Sequence, residues 1–173
     1  LENVDRLLGS PVNQKGRDFA VMLSSLNNLG YAVEWRVINA GDYGMPQRRR
    51  RVFILGYYKN SKLYEEMKKT DVSSWIYKAG VFAKQFKVEQ PNSLFLTEDF
   101  ELNPNLKKVS DNFNLENQNK KFKNAGIMID GKVTTVQTKP VFRGKRTTLR
   151  DVLEDKKVDK EFYINNEDLK RWK

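Results

Sequence analysis

The strongest local signal in the first 51 residues is a run of four arginines, and acidic side chains, Glu2 among them, are scattered over the same stretch. Glu2 lies near the amino end, and Arg48 to Arg51 form an unbroken run. A carboxylic acid can donate a proton to a reacting group, and an arginine offers a rigid fork of donors to a carbonyl or phosphate oxygen. Because side chains alternate along a strand, Arg49 and Arg51 would face one side and Arg48 and Arg50 the other. The odd-numbered pair is therefore the better candidate to act together.

Each of these features also has an ordinary explanation. A carboxylate near a chain end is often frayed, and four consecutive arginines are usually a solvated basic patch or a targeting signal. The Gly-Met-Pro-Gln segment that precedes the arginines could be plain turn chemistry. Only the joint occurrence of these features, with suitable elements between them, favours a functional site.

The residue types that are missing exclude several classes of enzyme. The 173 residues contain no Cys and no His. A thiol nucleophile, a Ser-His-Asp triad, a disulfide scaffold and a zinc site built from Cys or His are therefore excluded for this chain. No Asp/Glu cluster has the spacing of a hard-metal site, so no metal site is predicted. If the chain belongs to an enzyme, its nucleophile lies elsewhere.

The net charge favours a polyanionic partner without proving one. Lys and Arg number 32 against 22 Asp and Glu, which leaves +10 at pH 7. Such a charge attracts polyanions and accelerates their encounter, although ordinary soluble proteins can also be basic. No stretch approaches the roughly 18 consecutive apolar residues of a spanning helix, so no membrane partner is predicted.

The pattern over residues 1–58 is typical of the closing part of an α/β layered sheet. Apolar residues at helical spacing predict a helix from Arg17 to Leu29, and Gly30 follows where a left-handed cap is favoured. Period-two alternation predicts a strand over 31–38, and a continuous apolar run predicts a second strand over 52–58. The connection between these strands contains no helix, which favours an antiparallel pair.

The rest of the chain has a less regular pattern, and we place a domain boundary near residue 70. A short helix is predicted within 59–69, and Asp130-Gly131 predicts a tight hairpin within 127–134. The Asn- and Lys-rich stretch 103–123 is predicted to be a loop. Weaker signals predict a helix over 149–154 opened by a capping box of Thr148 and Asp151, a short strand over 161–164, and a last helix capped by Asn166 that ends near Trp172.

Three segments together carry a family resemblance. They are Glu2-Asn3-Val4, the segment Asn39-Ala40-Gly41-Asp42-Tyr43-Gly44-Met45-Pro46-Gln47, and Arg49 and Arg51 at the start of an apolar strand. In this order and spacing they resemble the Glu-Asn-Val and Asn-x-x-Asp-Tyr-Gly-x-Pro-Gln-x-Arg-x-Arg motifs of the cytosine-5 DNA methyltransferases. The close match covers residues 1–58. The resemblance implies a methyltransferase-type Rossmann-like sheet in 1–70, followed by a smaller mixed α+β, partial target-recognition region in 71–173.

The family resemblance also implies roles for individual residues. Glu2 matches the acid that acts at the cytosine ring nitrogen, and Arg49 and Arg51 match the arginines that bind the base carbonyl and a neighbouring phosphate. The reaction it implies is methyl transfer from S-adenosylmethionine to carbon 5 of a cytosine flipped out of double-stranded DNA. The candidate DNA-binding residues are Asn3, Asn39, Gln47, Lys139, Arg143, Lys145 and Arg146; for each residue of the last four, a solvated loop is at least as good an explanation.

The chain also departs from the family pattern. The cofactor loop and the Pro-Cys nucleophile that precede Glu-Asn-Val in the family are missing, so no cofactor-binding residue is predicted here and the isolated chain is expected to be inactive. We expect a fragment of a bacterial restriction-modification enzyme, in the cytoplasm and associated with the nucleoid, with the remainder of the enzyme as partner. A subunit of a split methyltransferase and a non-catalytic basic DNA-binding module are the alternatives.

Overall fold

The computed structural model describes residues 1–90, 97–115 and 121–171 and has a mixed α/β fold. Six strands form one sheet in the order β1-β3-β2-β6-β7-β5, and a separate two-stranded sheet joins β4 and β8. The strands are β1 Glu2–Val4, β2 Tyr31–Asn39, β3 Arg50–Tyr58, β4 Val88–Glu89, β5 Thr97–Glu101, β6 Ala125–Ile129, β7 Lys132–Val136 and β8 Lys139–Pro140. The α-helices are α1 Arg17–Asn28, α2 Lys62–Lys69, α3 Val72–Ser74, α4 Val81–Gln85, α5 Leu106–Asn112, α6 Leu149–Val152 and α7 Asn166–Leu169.

The helix and strands predicted for residues 17–58 are confirmed. Helix α1 ends before Gly30, whose φ of 83° is the left-handed conformation expected at that position. Strands β2 and β3 pair antiparallel from Tyr31 opposite Tyr58 to Asn39 opposite Arg50. Their connection is too short to contain a crossover helix, which is why the chain turns back on itself.

The sheet buries a core on each of its faces. On one face, α1 packs Phe19 and Leu23 against Trp35 of β2 and Val52 of β3. On the other face, Tyr57 of β3 packs with Trp75 and the helical segment that follows it. Trp35 and Trp75 are each almost fully buried, as predicted for core residues rather than base-stacking platforms.

Two buried charges on β2 hold residues 75–86 against the second face. The Glu34 carboxylate accepts hydrogen bonds from the Tyr57 hydroxyl at 2.6 Å, the Trp75 indole at 2.6 Å and the Phe82 amide at 3.3 Å. Arg36 donates to the carbonyls of Ile76 and Phe86, and burial lowers the pKa of its guanidinium. Since an unpaired buried charge is costly, these bonds specify where the segment must dock.

The predicted hairpin is confirmed, and it joins the sheet directly. Asp130 and Gly131 have φ angles of 49° and 78° between β6 and β7. Strand β6 pairs antiparallel with β2, with Gly126 opposite Trp35. The sheet therefore continues across the boundary placed near residue 70. The division of the chain into two domains there stays a prediction.

Gly126 of β6 leaves no room for a side chain beside Trp35 of β2. A β-carbon there would overlap the Trp35 ring and lie 2.5 Å from the Thr134 carbonyl oxygen. We expect Gly126→Ala to lower the free energy of unfolding by about 3 kcal/mol, because the core cannot accommodate the added carbon. Urea denaturation would measure the loss. Gly9→Ala is the matched control, since nothing lies within 4 Å of a β-carbon at Gly9; equal losses for both variants would contradict the packing argument.

Four local predictions need correction. Residues 103–123 were predicted to be a loop, but α5 forms within them because the Asn105 side chain caps it and Val109 is buried in the core. A strand was predicted over 161–164, but residues Lys160–Phe162 form a 3-10 helix, since within the described residues no strand pairs with their backbone.

The last helix is capped by Asn165 rather than Asn166, since Asn165 accepts from the Glu167 and Asp168 amides. Its predicted end near Trp172 lies outside the described residues. The helix after Thr148 is shorter than predicted and ends at Val152, although its capping box with Asp151 is confirmed.

Candidate functional site

The pairing of β1 with β3 positions the predicted acid beside the predicted arginines. The two strands are antiparallel, with Glu2 opposite Phe53 and Val4 opposite Arg51. Glu2 and Arg51 therefore project from the same face of the sheet. The Arg51 Nε lies 3.0 Å from Glu2 Oε1, and Arg49 Nη2 lies 3.5 Å from the same oxygen. Arg49 and Arg51 thus meet at the carboxylate of Glu2, although they lie 47 and 49 positions further along the chain.

This cluster is partly open to solvent. The side-chain exposure is 43% for Glu2, 52% for Arg49 and 26% for Arg51. Two guanidinium groups face one carboxylate, so the cluster has an excess positive charge that could bind an oxygen-rich ligand. Arg51 also donates through Nη1 to the Arg50 carbonyl at 2.7 Å, which fixes its orientation.

The alternation predicted for the arginine run is present. Arg50 points away from Glu2, and its Nε lies 3.1 Å from Asp5 Oδ2. Asp5 begins the short 3-10 helix Asp5–Gly9 that follows β1. Each face of β3 therefore has its own arginine–carboxylate pair, and Glu2 is the partner on the face of Arg49 and Arg51.

The loop between β2 and β3 is held by a second loop, residues 142–147. The Arg146 Nη1 donates to the Gly41 carbonyl at 3.1 Å, and the Thr147 amide donates to the Gly44 carbonyl at 2.8 Å. Gly44 has φ 87°, and a β-carbon there would lie 2.5 Å from the Phe142 ring. Arg146, predicted to contact DNA, therefore contacts the protein backbone beside the arginine run.

Tyr43 fastens the same loop to β4. Its hydroxyl donates to the Lys87 carbonyl at 3.2 Å, its ring packs edge-on against Phe86 and Phe142, and burial raises its pKa. These contacts hold the loop between β2 and β3 in place next to the arginine run. No sequence pattern indicated this contact, because Tyr43 and Phe142 are far apart in the chain.

The remaining candidate residues lie in different places. Asn3 accepts from the Val4 amide, and Lys139 pairs with Glu89 at 3.0 Å. Arg143 lines a cavity with Tyr43 and Lys87. The Gln47 and Lys145 backbone carbonyls lie close to Gly41 and Gly44, respectively. The structure thus brings Gln47, Lys145 and Arg146 to the β2–β3 loop, while Lys139 and Arg143 lie towards β4.

Asn39 stands between two cavities at the end of β2. One cavity, of about 300 Å³, is lined by polar groups that include Asn39, Arg50, Asn124 and Gln137. The second, of about 420 Å³, is lined by Val4, Asp5, Arg6, Asn39, Arg48, Arg50 and Arg51, and we call it the arginine cavity. Within the described residues, the buried Asn39 Oδ1 has no hydrogen-bond partner.

Sequence reasoning missed Asp5 and Arg6 as part of this region. They directly follow the Glu-Asn-Val segment in the sequence. Their position could have indicated their place, because Glu2 can reach the arginines only if β1 pairs beside them, and that pairing also brings the next residues close. The turn that bends Asp5 towards Arg50 depends on the 3-10 helix, which no pattern predicted.

Comparison with known proteins identifies the family. The model of the C-5 cytosine-specific DNA methylase family matches residues 1–171. The chain belongs to this family. The resemblance drawn from three segments of the first 51 residues is thereby confirmed, and the match extends over the region where the sequence motifs are weak.

The individual relatives are type II methyltransferases. M.Sau3AI of Staphylococcus aureus is 44% identical over the full 173 residues, which cover 40% of that protein. M.NgoBI of Neisseria gonorrhoeae is 42% identical over 64 residues, or 37% of this chain and 19% of the relative. The chain spans about two fifths of the length of M.Sau3AI. No solved structure matches it.

S-adenosylmethionine is the methyl donor of C-5 cytosine methylases. The arginine cavity does not fit this molecule: four arginines and one aspartate line it, a net +3, which disfavours a sulfonium cation. Among the described residues, no group of three or more His, Cys, Asp and Glu side chains could hold a metal ion. In the same residues, no helix has the length and hydropathy needed to cross a bilayer.

Proposed function

We propose that this chain is the part of a DNA (cytosine-5-)-methyltransferase that binds and activates the target cytosine. The complete enzyme transfers a methyl group from S-adenosylmethionine to carbon 5 of a cytosine flipped out of double-stranded DNA. The observation that carries this proposal is the convergence of Arg49 and Arg51 on Glu2 in a chain that belongs to the methylase family.

Each side chain of the cluster has a chemical task in this proposal. Attack by a thiolate on the ring carbon next to carbon 5 places negative charge on the base. A proton from Glu2 at the ring nitrogen neutralises that charge. Arg51, which is held by Glu2 and by the Arg50 carbonyl, donates to the base carbonyl, and Arg49 binds a neighbouring phosphate.

Other groups of the reaction come from outside this chain. The chain has no Cys, so the nucleophile is supplied elsewhere, together with the binding site of the methyl donor. That donor supplies the methyl group when it is bound. We therefore propose that the chain is a fragment of the enzyme and that it is inactive alone. Its coverage of 40% of M.Sau3AI is consistent with this division.

The fold is consistent with different roles for the first and second parts of the chain. We propose that residues 1–70 close the Rossmann-like sheet of the catalytic domain and that 71–173 belong to the target-recognition region. Strand β1 lies at the edge of the six-stranded sheet with all three residues exposed, so another strand could pair with it. In this arrangement Asn3, Asn39, Gln47, Lys139, Arg143, Lys145 and Arg146 lie around the DNA.

The biological setting is also a proposal. The relatives named above are type II methyltransferases of bacteria. We propose that the complete enzyme belongs to a restriction-modification system and works on the nucleoid in the bacterial cytoplasm. Double-stranded DNA and the remainder of the enzyme, or a second subunit, are then the partners of this chain.

The test is methyl transfer to duplex DNA with and without the rest of the enzyme. We expect the complete enzyme to convert cytosine to 5-methylcytosine, detected by mass spectrometry of the digested DNA. The 173-residue chain alone should give no product above a no-protein control. Product formed by the isolated chain, or a complete enzyme that modifies another base or another atom, would contradict the proposal.

A further inference from the structure

Two of the four consecutive arginines have no task in the proposed reaction. Arg48 and Arg50 belong to the even-numbered set of the run and do not contact Glu2, unlike Arg49 and Arg51. Both line the arginine cavity, and Arg6 from the neighbouring 3-10 helix lines it as well. Strand pairing and the turn after β1 thus bring together cationic groups that lie more than forty positions apart in the chain.

The charge in this cavity is only partly compensated. Among the residues that the structure describes, Asp5 is the one acidic residue that lines the cavity, and it pairs with Arg50 at 3.1 Å. Arg51 is neutralised from outside the cavity by Glu2. In the described part of the chain, Arg6 and Arg48 have neither an ion pair nor a side-chain hydrogen bond. Two arginines without a partner among the described residues therefore line one concave space of about 420 Å³, which is large enough for a phosphate with its flanking sugars.

The wall of the cavity also contains an unused acceptor. Asn39 lines it, and the buried Oδ1 of this residue receives no hydrogen bond from the described residues. Buried acceptors normally have a donor, and a phosphodiester has none to offer, so this oxygen marks a place for water or for a donor on the neighbouring sugar or base and not for the phosphate itself. Asn39 and Arg50 line the adjoining 300 Å³ cavity too, so a ligand could extend from one cavity to the other.

We propose that Arg6, Arg48 and Arg50 form a second anion site that binds a backbone phosphate of the DNA and adjoins the Glu2 cluster, since Arg51 lines the same cavity. Arginine forks are well suited to phosphate oxygens, and contacts of this kind set the position of a protein on a duplex. The inference rests on the DNA-binding function proposed above. It assigns Arg6 and Arg48 to affinity and register rather than to the methyl-transfer step.

The test compares two double variants of the 173-residue chain with equal loss of charge. Arg6→Gln/Arg48→Gln removes the two unpaired cavity arginines. Lys107→Gln/Lys132→Gln removes two exposed lysines on α5 and β7, and β7 is separated from β3 by β2 and β6. Binding to a fluorescent duplex is measured by anisotropy over a range of salt concentrations, and circular dichroism verifies that each variant is folded.

We expect the arginine variant to bind the duplex about tenfold more weakly and to reduce the slope of log K against log salt by about 1, since one phosphate contact is lost. The lysine variant should keep the wild-type slope. Equal slopes for the two variants would overturn the proposal. If a nucleoside monophosphate at matched ionic strength binds the wild type but not the arginine variant, and leaves the affinity of both proteins for the duplex unchanged, the site binds free nucleotides and the assignment to DNA is wrong.

A second readout separates this inference from the proposed function. In the complete enzyme, Arg6→Gln/Arg48→Gln should raise the KM for DNA about tenfold and leave kcat unchanged, because neither residue touches the reacting base. An unchanged KM would overturn the phosphate site while leaving the role of Glu2 intact. An enzyme that binds DNA in this arginine-dependent way but transfers no methyl group would instead overturn the proposed function alone.

Discussion

Glu2→Gln in the complete enzyme is expected to lower the rate of methyl transfer by about 10²- to 10⁴-fold, the range that a general acid contributes. Glutamine keeps the shape of the side chain and an oxygen that can accept from Arg51. It has no carboxylic acid proton to give to the cytosine ring. The affinity for DNA should therefore stay close to that of the wild type, since the arginines remain in place.

Single-turnover methyl transfer and equilibrium DNA binding would be measured in parallel for this variant. Glu98→Gln is the matched control, because Glu98 pairs with Lys123 at 3.0 Å much as Glu2 pairs with Arg51 at 3.0 Å, but on β5 at the opposite edge of the sheet. The control should keep a methyl-transfer rate near that of the wild type. If Glu2→Gln loses both DNA binding and methyl transfer, or neither, the role of proton donor is wrong.

Glu34→Leu is expected to lower the free energy of unfolding by about 4 kcal/mol. The Glu34 carboxylate is 3% exposed and accepts from Tyr57, Trp75 and the Phe82 amide. Leucine leaves three buried donors without an acceptor, each at a cost of about 1 to 3 kcal/mol, while the removal of a buried charge offsets part of the loss. Chemical denaturation of the 173-residue chain would measure the change.

Tyr57→Phe is the graded control for that experiment. Burial and the Glu34 hydrogen bond raise the pKa of Tyr57, so its hydroxyl is neutral and acts as a donor at neutral pH. Phenylalanine removes one of the three donors and leaves Glu34 with the other two, and we expect a loss of about 1 kcal/mol. A Glu34→Leu variant as stable as Tyr57→Phe would show that the network does not anchor residues 75–86.

Prediction from sequence succeeded where a residue's environment is set by its near neighbours. The stripe from Phe19 to Leu26 determines which face of α1 is buried, and Asp130-Gly131 adopts the positive φ angles of a tight turn. The alternation of Arg49, Arg50 and Arg51 follows from the pleat of a strand alone. Such features depend on interactions between residues a few positions apart, so a short stretch of sequence is enough to predict them.

The failures have a common physical cause. Phe162, Tyr163 and Ile164 have strand-forming side chains but no partner strand among the described residues, and α5 depends on the burial of Val109 in the core beside α1. The DNA contact of Arg146 stays a prediction, but no local pattern indicated that this side chain donates to the Gly41 carbonyl, 105 positions away. Whether a side chain meets a ligand or its own backbone depends on which distant segment packs beside it.

The sequence by itself determined the family and the pairing of β2 with β3, and it selected the acid and the arginines that we propose act on the cytosine. Only the tertiary structure decided that Arg49 and Arg51 meet Glu2 while Arg50 meets Asp5, and that Arg6 and Arg48 share one cavity. The reason is that the register of β1 against β3 and the turn after β1 set the distances between groups that lie forty or more residues apart in the chain. That register is selected by the hydrogen bonds between the strands and by the packing of the core along the whole sheet.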